Sequence, residues 1–467
     1  MMSGRQYLQS FGLVFYAATG LFLFVFTNPL SGLDLYPICV ASTGFLALAL
    51  AYTHWTRERR IWSISGVYLV VFSLFHCGLV LVFALRMEIG TEFVSYLNKW
   101  LYSVDTKTAI ILVMLAVCSY QFGVTLSSFW GQNSTPPTDN PAKRVIPVIG
   151  FILVASSFAV WAAMVVLHGG IGLFGGSYSE YRESTPGSLN GWLYFFIGVG
   201  LVYLAISPAC RWRRLGLAIF ALFSVLAMGL GLRGEVLFPT FSALAVYGMK
   251  KYPISITKAA LLAFVLLTTI AAVRQMRQVG FLEYQFSLAA LAPANALAEM
   301  GASIRPVMEV VSWVRAGDEF MQGRSYWAPI DRVLVYLVPG WERPPLQEDD
   351  RILGQTIGRR AGAVGFSTIA EAYYNFGRWG VAAYMFLLGL LFGRMEQWPP
   401  DPHRQLAAGV VLFLFMIQIR NTFIFVPVSL VIGLVLVYIT SLIGKSVAAG
   451  EARRTSDGTA LRPRSPI

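Results

Sequence analysis

The chain has 467 residues, 56% of them hydrophobic and 13% charged, with a net charge of +12 and a mean hydropathy of +0.62. A soluble domain carries about 25% charged residues, so a soluble globular fold is excluded and an all-α, polytopic membrane protein is expected. Four cysteines in or beside apolar stretches, with no CxxC or Cys/His ligand spacing, argue against a disulfide framework and a zinc site.

Apolar stretches near the ~20 residues that cross a bilayer predict twelve spans, at 8–29, 33–53, 62–85, 108–129, 146–167, 190–208, 215–232, 235–249, 256–273, 379–397, 405–419 and 423–443. The first lacks a small-residue cleavage site and reads as a retained span. Between spans four and five, the polar, Pro-rich segment 131–144 (GQNSTPPTDNPAKR) reads as a solvated linker. After span five, His168 to Asn190 carries six glycines with Tyr178 and Tyr181, a loop suited to close approach of a sugar or lipid headgroup. From 274 to 378 apolar and charged residues mix at helical spacing, which predicts amphipathic and re-entrant helices. The division is therefore 1–273 for spans one to nine, 274–378 for a large extracytoplasmic loop, 379–445 for spans ten to twelve and 446–467 for a disordered cytoplasmic tail. No repeat of fixed period occurs and the halves are not inverted copies, which argues against a secondary transporter.

Lysine and arginine bias orients the spans. With the N-terminus inside, the even-numbered loops, Arg5 and the tail hold nineteen of the thirty-six basic residues. Both termini are then cytoplasmic, and the net charge is a topology signal rather than a sign of nucleic-acid binding. The large outer segment holds eleven basic residues, all arginine: Arg274, Arg277, Arg305, Arg315, Arg324, Arg332, Arg343, Arg351, Arg359, Arg360 and Arg378. Arginine grips phosphate or carboxylate bidentately and stays charged, so the cluster points to oxyanion recognition.

Topology gathers four helix ends at the outer face. Arg233 and Glu235 lie in the turn between spans seven and eight, Arg274 and Arg277 at the end of span nine, Arg378 at the start of span ten, and Arg420 with Asn421 in the turn before span twelve. Such a set can stabilise a departing diphosphate where no metal does so. Hydroxyl attack also needs a group that orients the nucleophile, for which the candidates are Glu235, Glu371 and His168. Glu371, Tyr374 and Asn375 share one face at i, i+3, i+4 spacing, a usable sugar-binding edge. Glu348, Asp349 and Asp350 read as a solvated acidic loop paired with neighbouring arginines, and Arg315 and Arg343 as partners of nearby carboxylates. His54, His76 and His403 receive no role.

The segments GLRGEVLFPTFSALAVYGMKK at 231–251, RQMRQ at the end of the following span and GFSTIAEAYYNFGRWGVAAYMFLLGLLFGRMEQ at 365–397, with the large outer loop between them, resemble the O-antigen and exopolysaccharide repeat-unit polymerases, the Wzy-type membrane glycosyltransferases. The resemblance covers about 200 of 467 residues. It implies a C-type glycosyltransferase-like helical fold in the bacterial inner membrane, and a growing glycan passed with inversion from undecaprenyl diphosphate to the terminal sugar of a new lipid-linked repeat unit. It implies no cofactor, no metal and no nucleic acid, with membrane lipids and a chain-length regulator as partners. It also implies that Arg233, Arg274 and Arg277 lead the diphosphate contacts, followed by Arg420 and Arg378, with Glu371, Tyr374 and Asn375 on the acceptor side and His168 and Tyr178 as further glycan contacts. The absence of an obvious histidine in the large loop departs from the related O-antigen ligases. Ligase and flippase or exporter are the rival readings.

Overall fold

The computed structural model describes residues 4–57, 60–90, 101–130, 144–174, 178–249, 255–279, 291–335, 338, 340, 342, 344–346, 348–362, 364–398 and 401–459. Arg343, most of the linker 131–144, the last residues of the tail and the side chains of Arg274 and Arg277 lie outside the described residues. The described residues form α-helices and short 3-10 turns: α1 (Gly4–Ser31), α2 (Leu35–Thr56), α3 (Ile64–Ala84), α4 (Val104–Ser127), α5 (Ile146–Leu167), α6 (Tyr178–Ser184), α7 (Gly187–Ile206), α8 (Arg211–Gly229), α9 (Gly234–Gly248), α10 (Ile256–Val279), α11 (Pro293–Gly301), α12 (Arg305–Arg315), α13 (Arg324–Leu334), α14 (Leu353–Ala361), α15 (Thr368–Met395), α16 (Pro402–Gln418) and α17 (Val426–Thr459).

Nine segments among the described residues are long and apolar enough to cross a membrane: α1 to α5, α7, α8, α15 and Phe423–Gly450. The other three predicted spans fall on α9, which has 15 residues, on α10, whose apolar part is Ala263–Val273, and on α16, which has 17 residues. At 1.5 Å per residue, 15 residues rise about 22 Å, short of a ~30 Å hydrocarbon core. α9 and α16 are instead packed among neighbours, α9 against α7 and α16, so their length need not match the bilayer on its own.

The inner layer is α3 and α4, each 78% buried over its apolar window, while α1 and α8 are 22% buried and face outward. In lipid, helices associate through close packing of small residues rather than through apolar burial. The most extensive pair, α4 with α15, accordingly meets at Gly123 on the Phe386 carbonyl and Gly389 on the Tyr120 carbonyl, where a Cβ has no room. The helices alternate in direction. One end of the bundle gathers Arg57, which pairs with Glu396 at 3.7 Å, and Ser65 N, which donates to Glu396 Oε1 at 2.6 Å. The other end gathers Lys107 on the Leu33 carbonyl, Arg315 on Asp105 at 2.8 Å, the α8–α9 turn and the large loop.

Among the described residues the segment 291–362 carries four α-helices, α11 to α14. α12 buries Val307, Met308, Val310, Val311 and Trp313 on one face. α11 enters the bundle, with Gly301 against Gly78 and the Leu79 backbone of α3.

Two boundaries differ from expectation. The tail expected to be disordered from 446 is helical to Thr459, because Ala, Glu and Arg in AAGEARR extend α17 at little intrinsic cost. The tenth span begins not at 379 but at Thr368, and its helix is broken at Phe376 (φ −140°) and Gly377 (φ +61°). Glycine accepts this left-handed geometry without a Cβ clash.

Candidate active site

Arg233 owes its position to a tight reversal after α8. Gly231 adopts φ +79°, Gly231 N donates to the Met228 carbonyl at 2.9 Å and Leu232 N to the Ala227 carbonyl at 2.8 Å. The next residue caps α9, its carbonyl accepting from Leu237 N at 2.8 Å. Arg233 is only 5% exposed, and its Nη2 pairs with Glu299 Oε1 of α11 at 2.6 Å. Its Nη1 is buried with no hydrogen-bond partner. An orphaned buried donor costs about 1–3 kcal/mol, more on a charged group, so this guanidinium keeps an N–H able to donate to an oxygen.

Arg420 approaches the same region from the α16–α17 turn. Its guanidinium lies 6.0 Å from the Phe75 ring centre, Phe75 packs on Phe238 at 5.5 Å, and Phe238 rises one turn beyond Arg233 on α9. α10, which carries Arg274 and Arg277 near its end, packs against α11, the helix of Glu299. Arg378 turns elsewhere: its Nη1 donates to the Phe24 carbonyl at 3.0 Å and its Nη2 to Asn28, so it ties α15 to α1.

The broken start of α15 is a docking face for the large loop. The break frees two carbonyls, and Met321 N donates to Tyr374 O at 2.9 Å and Gln322 N to Asn375 O at 3.0 Å. Glu371, Tyr374 and Asn375 do share a face, and that face holds protein. Ser325 Oγ donates to Glu371 Oε1 at 2.8 Å, Phe423 N to Glu371 Oε2 at 2.7 Å, and Tyr374 OH to Asp318 Oδ2 at 2.9 Å. Asn375 Nδ2 donates to Ser325 Oγ at 2.7 Å, and Asn375 Oδ1 accepts from Gly323 N at 3.0 Å. Glu371 is 1% exposed and Asn375 fully buried. Glu371 is held by neutral donors, and among the described residues it makes no ion pair.

His76 had no sequence assignment and belongs to this frame. Its Nε2 lies 2.8 Å from Ser367 Oγ, the hydroxyl that caps α15, and its Nδ1 lies 3.1 Å from the Phe72 carbonyl. The signal was an imidazole inside an apolar span, which must find a partner away from lipid.

The glycine-rich loop closes over a separate polar knot. Trp161 Nε1 donates to Tyr181 OH at 3.1 Å, Tyr181 OH meets Tyr194 OH at 2.9 Å, and Asn190 Nδ2 donates to Thr185 Oγ1 at 2.9 Å. Glu235 lies close enough to act electrostatically on both Tyr181 and Tyr194, and Tyr178 packs on the same cluster. His168 caps α5, with Nδ1 2.9 Å from the Met164 carbonyl.

The loop arginines are paired. Arg332 meets Asp349 at 3.0 Å, Arg351 meets Asp349 at 2.9 Å and Asp331 at 2.8 Å, and Arg360 binds Asp318 while lying 4.1 Å over the Trp313 ring. In the acidic run Glu348 and Asp350 are exposed as expected and Asp350 pairs with Arg359, whereas Asp349 is 2% exposed, with the guanidiniums of Arg332 and Arg351 on it. Hydrogen bonds from Arg360, reinforced by Tyr374, hold the Asp318 carboxyl below the usual range. At Asp349 burial pushes upward, and the bonds from Arg351 and Arg332 outweigh it. Arg315 pairs as expected, with Asp105, a residue 210 positions away.

Comparison with known proteins follows this geometry. The family model for the O-antigen polysaccharide polymerase Wzy matches residues 13–335 and 357–449. Protein CapE of Staphylococcus aureus is 25% identical over 419 residues, covering 88% of this chain and 91% of that protein. No solved structure matches.

Proposed function

From the premise that the chain belongs to the O-antigen polysaccharide polymerase family, we propose that it transfers a growing glycan from undecaprenyl diphosphate onto the terminal sugar of a new undecaprenyl-diphosphate-linked repeat unit. The family match over most of the chain is the observation that carries the reaction class. The buried, half-satisfied guanidinium of Arg233 supports an anion at the α8–α9 turn.

In this reading Arg233, with Arg420, Arg274 and Arg277, binds the donor diphosphate, and Arg378 belongs to the helix frame. The acceptor hydroxyl attacks the anomeric carbon from the face opposite the diphosphate, inverting that centre. The bond from the anomeric carbon to the diphosphate breaks, and undecaprenyl diphosphate leaves with the electron pair. Guanidiniums already in place stabilise that charge without reorganising, which is where electrostatic catalysis gains most. Glu235, two residues beyond Arg233, orients the attacking hydroxyl and takes its proton. His168, Tyr178 and the glycine-rich loop contact the glycan, and Tyr374 presents its hydroxyl beside Asp318 at the loop edge. The site faces the extracytoplasmic side of the inner membrane, both termini are cytoplasmic, and a chain-length regulator is the proposed protein partner.

Purified protein given a synthetic undecaprenyl-diphosphate repeat unit in EDTA should yield a ladder of longer lipid-linked glycans. No ladder with authentic substrate overturns the polymerase reading, and a ladder that needs added metal overturns its metal-free form. Transfer only to a different acceptor would identify a ligase instead.

A further inference from the structure

The loop docked on α15 and the turn that carries Arg420 share one carboxylate. We propose that Glu371 is a positioning residue that fixes the α16–α17 turn, and with it Arg420, against the diphosphate site; the inference rests on the polymerase reading above.

Both carboxylate oxygens are committed, Oε1 to Ser325 Oγ at 2.8 Å and Oε2 to Phe423 N at 2.7 Å, and the side chain is 1% exposed. Each oxygen faces a protein donor and the side chain is buried, so a substrate hydroxyl does not reach it. The bonds of Glu371 instead complete a three-point attachment. Thr368 Oγ1 donates to Gln418 O at 2.9 Å, Phe366 N donates to Arg420 O at 3.1 Å, and Glu371 accepts from Phe423 N, so residues 366–371 hold the turn on both sides of Arg420. Tyr326, next to Ser325, buttresses the same turn with its ring 5.2 Å from Phe423 and stacked 5.8 Å from Tyr384. The carboxylate is suited to this place because two donors from two segments converge on it, and a carboxylate accepts at both oxygens. Removing it orphans Phe423 N and takes the acceptor from the Ser325 hydroxyl, which loosens the turn around Arg420 and its link to the large loop.

A double-mutant cycle tests this, read by binding of undecaprenyl diphosphate and by ladder rate against pH. Glu371→Ala and Arg420→Ala should each weaken undecaprenyl-diphosphate binding about tenfold. The double variant should bind no more than about twofold worse than either single, since both remove the same contact. Glu371→Gln, which keeps one acceptor, should recover most of the binding and leave the pH profile of the ladder rate unchanged. Two results overturn the proposal: additive losses in the cycle, or a Glu371→Gln variant that binds normally, loses about a hundredfold or more in rate and loses the acidic limb of the profile, as a general base would. If Glu371→Ala does not fold, Ser325→Ala, which removes one of the two donors, takes its place in the cycle. A wild-type protein that binds undecaprenyl diphosphate without making a ladder overturns the polymerase reading, while the binding cycle still decides the role of Glu371.

Discussion

Two arginine-bearing regions meet at one end of this bundle and differ in how their charge is spent. In the large loop every described guanidinium has an oxygen partner, from Arg315 on Asp105 to Arg351 shared between Asp349 and Asp331. At the α8–α9 turn, Arg233 is more deeply buried than any of them and yet keeps one nitrogen without a partner. In the proposed reading the paired arginines build the wall, and the unfilled donor of Arg233 takes the diphosphate.

The largest effect that can break this comparison comes from Arg233→Ala. The ladder rate should fall about 10²–10³-fold, the usual loss on removing a preorganised donor. Breaking the 2.6 Å pair with Glu299 should also lower thermal stability by about 3 kcal/mol. A wild-type rate from normally expressed protein places the anion elsewhere.

Asp349→Asn should act on the wall alone. It strips a carboxylate that is 2% exposed from two guanidiniums, so about 3 kcal/mol of stability should be lost in detergent melts. The ladder rate of the folded fraction should change by less than about fivefold.

Acid separates the regions further. The carboxyls of Asp318 and Asp349 lie below their usual value of about 3.9. Their contribution is full above that value and lost as pH falls through the depressed folded value, because protonation then favours the unfolded loop. Hydrogen exchange should rise in 318–360 below about pH 4 before it rises in α3 and α4. Equal protection in both down to about pH 3 would contradict the pairing.

Gly377→Ala places a Cβ at φ +61° and 3.1 Å from Phe320, so it should lose about 1–2 kcal/mol and loosen the loop at 318–325 in limited proteolysis. The smallest effect belongs to Arg359→Ala, whose side chain is 50% exposed against an 83% exposed Asp350. It should change melting by less than about 0.5 kcal/mol and leave the ladder alone.

Hydropathy made most of the bundle legible, because a bilayer imposes both length and composition on a span. Of the twelve stretches it marked, nine meet the length and hydropathy of a crossing among the described residues, and α9 and α16 are shorter helices packed among neighbours. The helix break at Gly377 was hidden, since a single glycine in an apolar run is as compatible with close packing as with a positive φ. The arginine-rich segment was visible as composition. Which of its members are consumed was not, because Asp105 lies 210 residues from Arg315, and such partners are set by tertiary contact alone. The same limit applies to Glu371: its spacing with Tyr374 and Asn375 correctly gave a shared face, while the loop that occupies that face came from fifty residues upstream. The family resemblance in 231–251 and 365–397 lies inside the matched residues, and it rested on the turn that holds Arg233.

The most direct measurement compares two charge-pair deletions in the ladder assay. Arg233→Met with Glu299→Gln removes the buried pair at the turn, and Arg315→Met with Asp105→Asn removes one charge pair of the loop. With both proteins folded by thermal melting, the first should make no ladder and the second a ladder of wild-type pattern. A normal ladder from the Arg233 and Glu299 variant would contradict the account.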